Sequence, residues 1–280
     1  MFPASQHTVC LFAQFLSRSF TATSSVQNYI SGVKKLHLML GCQFPQDSFE
    51  LKLAIKGLQR KNPHCPRQAA PITPAMLIKI HKLLDCHKPF DAVFWSLFLT
   101  AFFTLARNSN LVQTGSCKQA KQVTRGDISI QADMVIVTFR WTKTIQYGQR
   151  KLQVPMVAIP GSVLCPVQAY TQMLSLVPGS EMVPAFSLPS NSRLKPVTYS
   201  QFMQVLRALV ARIGLAPGEY STHSFRRGGA TFAFKSQVPG ELIKTQGDWT
   251  SDAYLRYLDL SMESRLQVAV RMGHQILKDS

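Results

Sequence analysis

The chain has 280 residues, enough for one large or two modest domains, and 46% of them are hydrophobic, which excludes a disordered polypeptide. Its 31 Lys and Arg against 14 Asp and Glu leave a formal net charge of +17 and a pI near 9.9, a balance that suits a polyanion: nucleic acid first, an acidic membrane surface second. Six cysteines without C-x-x-C spacing argue against a disulfide framework and a zinc site, so no metal or cofactor is expected and a reducing, intracellular setting is the default.

The start of the chain lacks a basic leader and a cleavage motif, so no secretory signal is expected. Residues 1–66 read as a small helical domain. Apolar residues recur at helical spacing over 8–20 and again over 26–40, where Ser24 or Ser25 can cap and Gly41 stops the helix. A third helix begins at Ser48. Lys34, Lys35, Lys52, Lys56, Arg60 and Lys61 fall outside the apolar stripes. A solvated helix face would mix both signs, but the only acids nearby are Asp47 and Glu50, so these cations are candidates for phosphate contact.

Prolines and an abrupt change of composition mark a linker at 67–73, and residues 74–280 form the second domain. Thr73-Pro74 supplies an N-cap and a first-turn proline for a helix to about residue 84. The run 92–106 is the longest apolar stretch and falls short of the ~20 residues needed to span a bilayer, so a buried helix over 90–106 and no membrane segment are expected. Arg107 follows it directly. From 128 the period changes to two: strands at 128–130, 134–141 and 152–156, with a turn at 143–149, make a small antiparallel sheet. Lys143 sits in that turn and Lys151 at its exit. Cys165-Pro166 opens a helix to 176, and 180–192 reads as loop with a short extended piece at 184–187. Thr198 caps a helix to 213, ended by Gly214. A last amphipathic helix covers 261–277.

The stretch 222–258 carries the chemistry. His223 and Arg226 lie three apart, which sets them on one face of a helix start, where free N–H groups favour an anion. Gly228 and Gly229 permit close packing beneath them. A Gly247-Asp248-Trp249 turn follows, then Tyr254 and Tyr257. In this order H-x-x-R, G-x-W and Y resemble the catalytic C-terminus of the tyrosine recombinase/integrase family, and 247–258 is most like recombinases of eukaryotic DIRS, Ngaro and Crypton mobile elements.

The resemblance implies a mainly α fold with a small antiparallel β-sheet, in a two-domain C-shaped arrangement of a helical core-binding domain and a catalytic domain. It implies DNA strand cleavage and rejoining through a 3′-phosphotyrosyl link. Arg107 corresponds to the first catalytic arginine, usually in L-R-x-x-E-L; here Ala106 precedes it and Asn110 stands at the acidic position, where it can still accept a hydrogen bond. Lys143, in a Thr142-Lys143-Thr144 turn, corresponds to the hairpin lysine that protonates the leaving oxygen. Arg107 and Arg226 would fork onto the phosphate, His223 would accept the proton of the Tyr257 phenol, and Trp249 would lie beside the phosphate. Trp249 is favoured there by its G-x-W-T match, although spacing to Tyr257 would also suit Asp248. Tyr254 is the alternative nucleophile, and Arg227 and Lys151 are assigned backbone contacts on DNA.

Double-stranded DNA is the implied partner, a dimer or tetramer on DNA the implied assembly, and the nucleus the implied location. A recombinase-derived DNA-binding protein without catalysis is the alternative, and a type IB topoisomerase a third reading.

Overall fold

The computed structural model describes residues 3–45, 48–61, 63, 68–115, 121–191, 193–258 and 262–279, without the side chains of 257, 263–265, 267, 268, 271 and 279. The chain divides into two units, Met1–Gln68 and Ala69–Ser280.

The first unit is three helices: α1 (Gln6–Leu16), α2 (Thr23–Met39) and α3 (Phe49–Lys61). Ser5 caps α1 by accepting from the Thr8 amide, and Ser48 accepts from the Leu51 amide at the start of α3. α2 starts earlier than its serines predict, from an Ala22 N-cap without a side-chain bond. Val9, Ala13, Leu16, Val26 and Ile30 form the core. Buried His37 closes one end: its Nε2 accepts from the Ala4 amide at 2.9 Å, which leaves Nδ1 to donate to the Val33 carbonyl at 2.8 Å. α3 buries no residue fully. Lys35, Lys52, Lys56, Arg60 and Lys61 are exposed and Lys34 is half-buried. Lys52, Lys56 and Arg60 recur every four residues and so share one face.

The second unit is built around α5 (Pro89–Phe103), preceded by α4 (Pro74–His81), whose N-cap is Thr73. Every residue of α5 from 92 to 102 is buried, so the helix lies inside the domain, the expected outcome for one that is apolar all round. Among the described residues no helix is long and apolar enough to cross a membrane. α5 stops three residues short of the predicted end, because Leu105 takes a left-handed backbone, φ 53°. A four-residue turn, α6 (Asn108–Leu111), follows, with Arg107 at its N-cap position.

The antiparallel sheet has the order β1 (Ile128–Ile130), β2 (Met134–Phe139), β3 (Leu152–Val157), with Val137 opposite both Ile128 and Val154. Val135, Val137 and Phe139 of β2 and Val154 and Met156 of β3 point into the core. Pro155 is tolerated because β3 is an edge. The fold is thus mainly α with a small antiparallel sheet, as expected.

The loop expected over 180–192 is interrupted: β4 (Ser187–Ser190) pairs with β5 (Arg193–Pro196), a stretch given no element from the sequence, in a second hairpin with Asn191 at φ 42° in its turn. α7 (Pro166–Leu176) packs on α5, and α8 (Tyr199–Arg212) begins with a capping box of Thr198 and Gln201. α9 (His223–Lys235), α10 (Gly240–Gln246), a 3-10 turn (Asp252–Tyr257) and α11 (Met262–Asp279) complete the unit.

Candidate active site

The site begins where α5 ends. A helix C-terminus leaves carbonyls without intrahelical partners, and here side chains from distant elements supply them. Gln246 of α10 donates to the Phe103 carbonyl at 3.0 Å, and the Arg226 guanidinium of α9 donates to the Leu105 carbonyl. Arg226 also donates to the Gly247 carbonyl at 2.6 Å, and its Cζ lies over the Trp249 ring, 3.7 Å from the centroid.

α9 comes this close to its neighbours because of its glycines. A Cβ on Gly228 would run into the Ile72 carbonyl, one on Gly229 into the Phe102 carbonyl. Gly247 is required likewise: a Cβ there would meet the Trp249 ring.

Arg226 is only 2% exposed, and its guanidinium is engaged by two carbonyls and the Trp249 indole.

Asp248 is the centre of the cluster. Its backbone is left-handed, φ 54°, and it is buried. Its Oδ2 accepts the hydroxyls of Thr142 (2.6 Å) and Thr144. Its Oδ1 accepts from Arg150 Nη2 at 2.5 Å. Arg107 approaches the same residue twice, Nη1 lying 3.6 Å from Oδ2 and Nη2 donating to the backbone carbonyl at 3.4 Å. Burial alone would raise the Asp248 pKa; the two threonine hydroxyls and Arg150 outweigh it and hold the carboxyl below its ordinary value.

Lys143, exposed, lies between the two threonines, so Asp248 fixes the ends of the loop that carries it. Asn110 also serves the hairpin: its amide donates to the Trp141 carbonyl at 2.6 Å.

His223 stands at the first position of α9 and is exposed as a residue, although protein crowds its imidazole. Its pKa is lowered, first by the crowding of surrounding protein, then by the charges of Arg226 and Arg107. The shift favours neutral imidazole, the form a general base requires.

Tyr254 is buried, 6.2 Å from the Trp249 ring centroid, and belongs to a small cluster with Leu105, Ala230, Ile243 and Leu258. Tyr257 ends the 3-10 turn; its side chain is outside those described. Lys151 is exposed at the start of β3 and Arg227 half-buried on α9.

Sequence reasoning missed Arg150, gave Thr142 and Thr144 no role beyond flanking Lys143, and weighed Asp248 only as the alternative to Trp249 at its position. The available signal was an acid at this turn in a chain with only 14 acids. Among the described residues no three His, Cys, Asp or Glu side chains gather as a metal site, and Cys10, Cys42, Cys86 and Cys165 are free thiols; Cys65 and Cys117 lie outside the described residues.

Chemically, the cluster offers the guanidiniums of Arg107 and Arg150 on one carboxylate, a buried guanidinium (Arg226) on the adjoining Gly247 carbonyl, an imidazole (His223) and a loop lysine. Two guanidiniums against one carboxylate, with a third beside them, leave a positive surplus that suits a phosphodiester.

No family model matches the chain, and no curated protein sequence matches it. Several solved structures match it in fold. The Tn1549 transposon integrase in complex with transposon right end DNA is 12% identical, with 96% of this chain and 86% of that one covered and a TM-score of 0.66. The XerH site-specific recombinase bound to a palindromic difH substrate, a post-cleavage complex, is 12% identical over 97% of this chain and 70% of that one, with a TM-score of 0.62. In the XerH pre-cleavage complex the chain spans 64% of the recombinase's length. A lambda integrase dimer bound to a COC′ core site is 13% identical over 92% of this chain and 80% of that one, with a TM-score of 0.56. The fold of this chain is the one found in tyrosine recombinase catalytic domains.

Proposed function

We propose that the chain is a site-specific DNA recombinase of the tyrosine class, cutting and rejoining duplex strands. What supports this reading most is that Arg107, Arg226 and the Lys143 loop converge on the Gly247–Trp249 turn from segments up to 141 positions apart, with His223 at the start of the helix that carries Arg226. The net charge of +17 and the fold shared with DNA-bound recombinases agree with it.

In this reading Arg107 binds a non-bridging phosphate oxygen, and Arg226 adds positive field from below. The Tyr257 phenol attacks phosphorus, forming the Oη–P bond as the bond to the 5′ oxygen breaks. His223 takes the phenolic proton, and Lys143 gives one to the leaving 5′ oxygen. Lys34, Lys35, Lys52, Lys56, Arg60 and Lys61 give the first unit the role of a core-binding domain on the phosphate backbone, with Lys151 and Arg227 contacting DNA near the cut.

Assembly as a dimer or tetramer on DNA belongs to the same proposal. The exposed apolar residues Leu266, Val270, Ile276 and Leu277 of α11, and a cavity of about 420 Å³ lined by Phe102, Phe232, Leu242 and Ile243, favour it. The likeness of 247–258 to DIRS, Ngaro and Crypton recombinases makes a eukaryotic mobile element the proposed source, and the nucleus the proposed location.

A second reading, a recombinase-derived DNA-binding protein without catalysis, draws on Arg226 being 2% exposed and committed to two carbonyls. A nicked suicide substrate decides between them. The enzyme gives a covalent protein–DNA adduct, lost in Tyr257→Phe and kept in Tyr254→Phe; salt-sensitive binding without adduct means the second reading is correct.

A further inference from the structure

We propose that Asp248 is a positioning residue, coupling the orientation of Arg107 to the placement of the loop that carries Lys143; this rests on the recombinase reading above. Two groups with opposite tasks, one steadying charge on the phosphate and one delivering a proton to the leaving oxygen, are held by one carboxylate.

The division of labour between its oxygens makes the case. Oδ2 accepts Thr142 and Thr144 and faces Arg107 Nη1 at 3.6 Å, Oδ1 accepts Arg150 at 2.5 Å, and the backbone oxygen takes Arg107 Nη2 at 3.4 Å. Thr142 carries the constraint further. With its hydroxyl hydrogen donated to Asp248, its Oγ1 accepts the amides of Thr144 (3.1 Å) and Ile145 (3.0 Å), so the carboxylate templates the turn on both sides of Lys143. Asn110 leaves the Arg107 segment without a carboxylate of its own and pairs with the Trp141 carbonyl; Asp248 supplies the missing charge from across the site.

An ordinary solvated ion pair does not fit these facts. The Asp248 side chain is 4% exposed, and a buried carboxylate is tolerated only where hydrogen bonds and opposite charge compensate it. Its backbone is left-handed, φ 54°. Asp and Asn adopt that conformation more readily than other side chains, and Gly at no cost.

Those preferences make the test clean. Asp248→Asn keeps backbone and shape but removes the charge; Asp248→Gly removes the side chain without backbone strain. In the full-length chain, single-turnover adduct formation on saturating suicide substrate is expected to fall about 100-fold in either variant, the scale of a misplaced catalytic group. DNA affinity stays within a few-fold. Asp248→Asn combined with Thr142→Val and Thr144→Val is expected to be no slower than the slower parent, because all three break one clamp. In the DNA-free protein, hydrogen exchange at the Thr144 and Ile145 amides speeds up in both variants, while α5 stays protected.

Wild-type adduct rates in Asp248→Asn, or losses that multiply with the threonine changes, overturn the proposal. If the wild type forms no adduct, the recombinase reading fails by itself. Exchange then decides the clamp: unchanged protection at 144 and 145 in Asp248→Asn overturns it.

Discussion

The two basic regions of this chain use positive charge in opposite ways. On α3, Lys52, Lys56 and Arg60 stand exposed on one face of a helix that buries no residue fully. In the second unit Arg226 is sealed at 2% exposure, and Arg107 and Arg150 lean on one carboxylate. Exposed charges produce a screened field that recognises a polyanion without fixing its position. Charges held by carbonyls, an indole and a carboxylate are oriented before any substrate arrives, and orientation is what catalysis draws on. Under the proposed function, the first region holds DNA and the second acts on one phosphate.

Arg226→Ala should break this contrast most severely. It strips a buried charge from two carbonyls and the Trp249 ring, and a loss of about 3–5 kcal/mol is expected in urea unfolding. A loss under about 1 kcal/mol would mean Arg226 is no more embedded than a surface cation. Arg107→Ala comes next: adduct formation should slow by 10²–10³-fold, about 2.7–4 kcal/mol of transition-state stabilisation, with unfolding nearly unchanged. Equal losses of rate and affinity would assign Arg107 to binding instead.

Replacing Lys52, Lys56 and Arg60 together by Ala should flatten the log K against log [salt] slope by up to about 2.7, roughly 0.9 per phosphate contact, with little change in the adduct rate at saturating DNA. An unaltered slope would remove α3 from the DNA interface.

The smallest effect concerns protonation. His223 should titrate below 6.5 by NMR in the free protein, and Arg107→Ala should move it upward. Because the folded pKa is depressed, the unfolded chain binds the proton more readily, so His223 costs stability as pH falls below about 6.5 and nothing above it. Asp248 gives the opposite contribution: its depressed pKa stabilises the fold above its ordinary 3.8, and this is lost as pH falls through the folded value.

Much of this was legible from local pattern. α5 was visible as an apolar run, α8 through its Thr198 cap, and β2 through alternation, because each depends on residues close in sequence. The β4–β5 hairpin was not: Pro189, Pro196 and its serines carry loop chemistry, and only pairing across Asn191 makes strands of them. The end of α5 was misread because a left-handed Leu105 has no side-chain signature. At the site, residue identity was readable and geometry was not. Nothing near Arg226 in sequence says that it will be buried under Trp249. The partners that give Asp248 its meaning, Arg150 and Thr142, lie 98 and 106 positions away.

The turn at Leu105 has a consequence for how this protein tolerates change. Its carbonyl receives Arg226, and the same backbone runs on two residues later to Arg107. Both guanidiniums therefore share one peptide mount, although their helices are far apart in the gene. A lesion that tilts the end of α5 misdirects the pair together, and neither arginine can be repaired alone; restoration demands a compensating change that returns the mount itself to its angle.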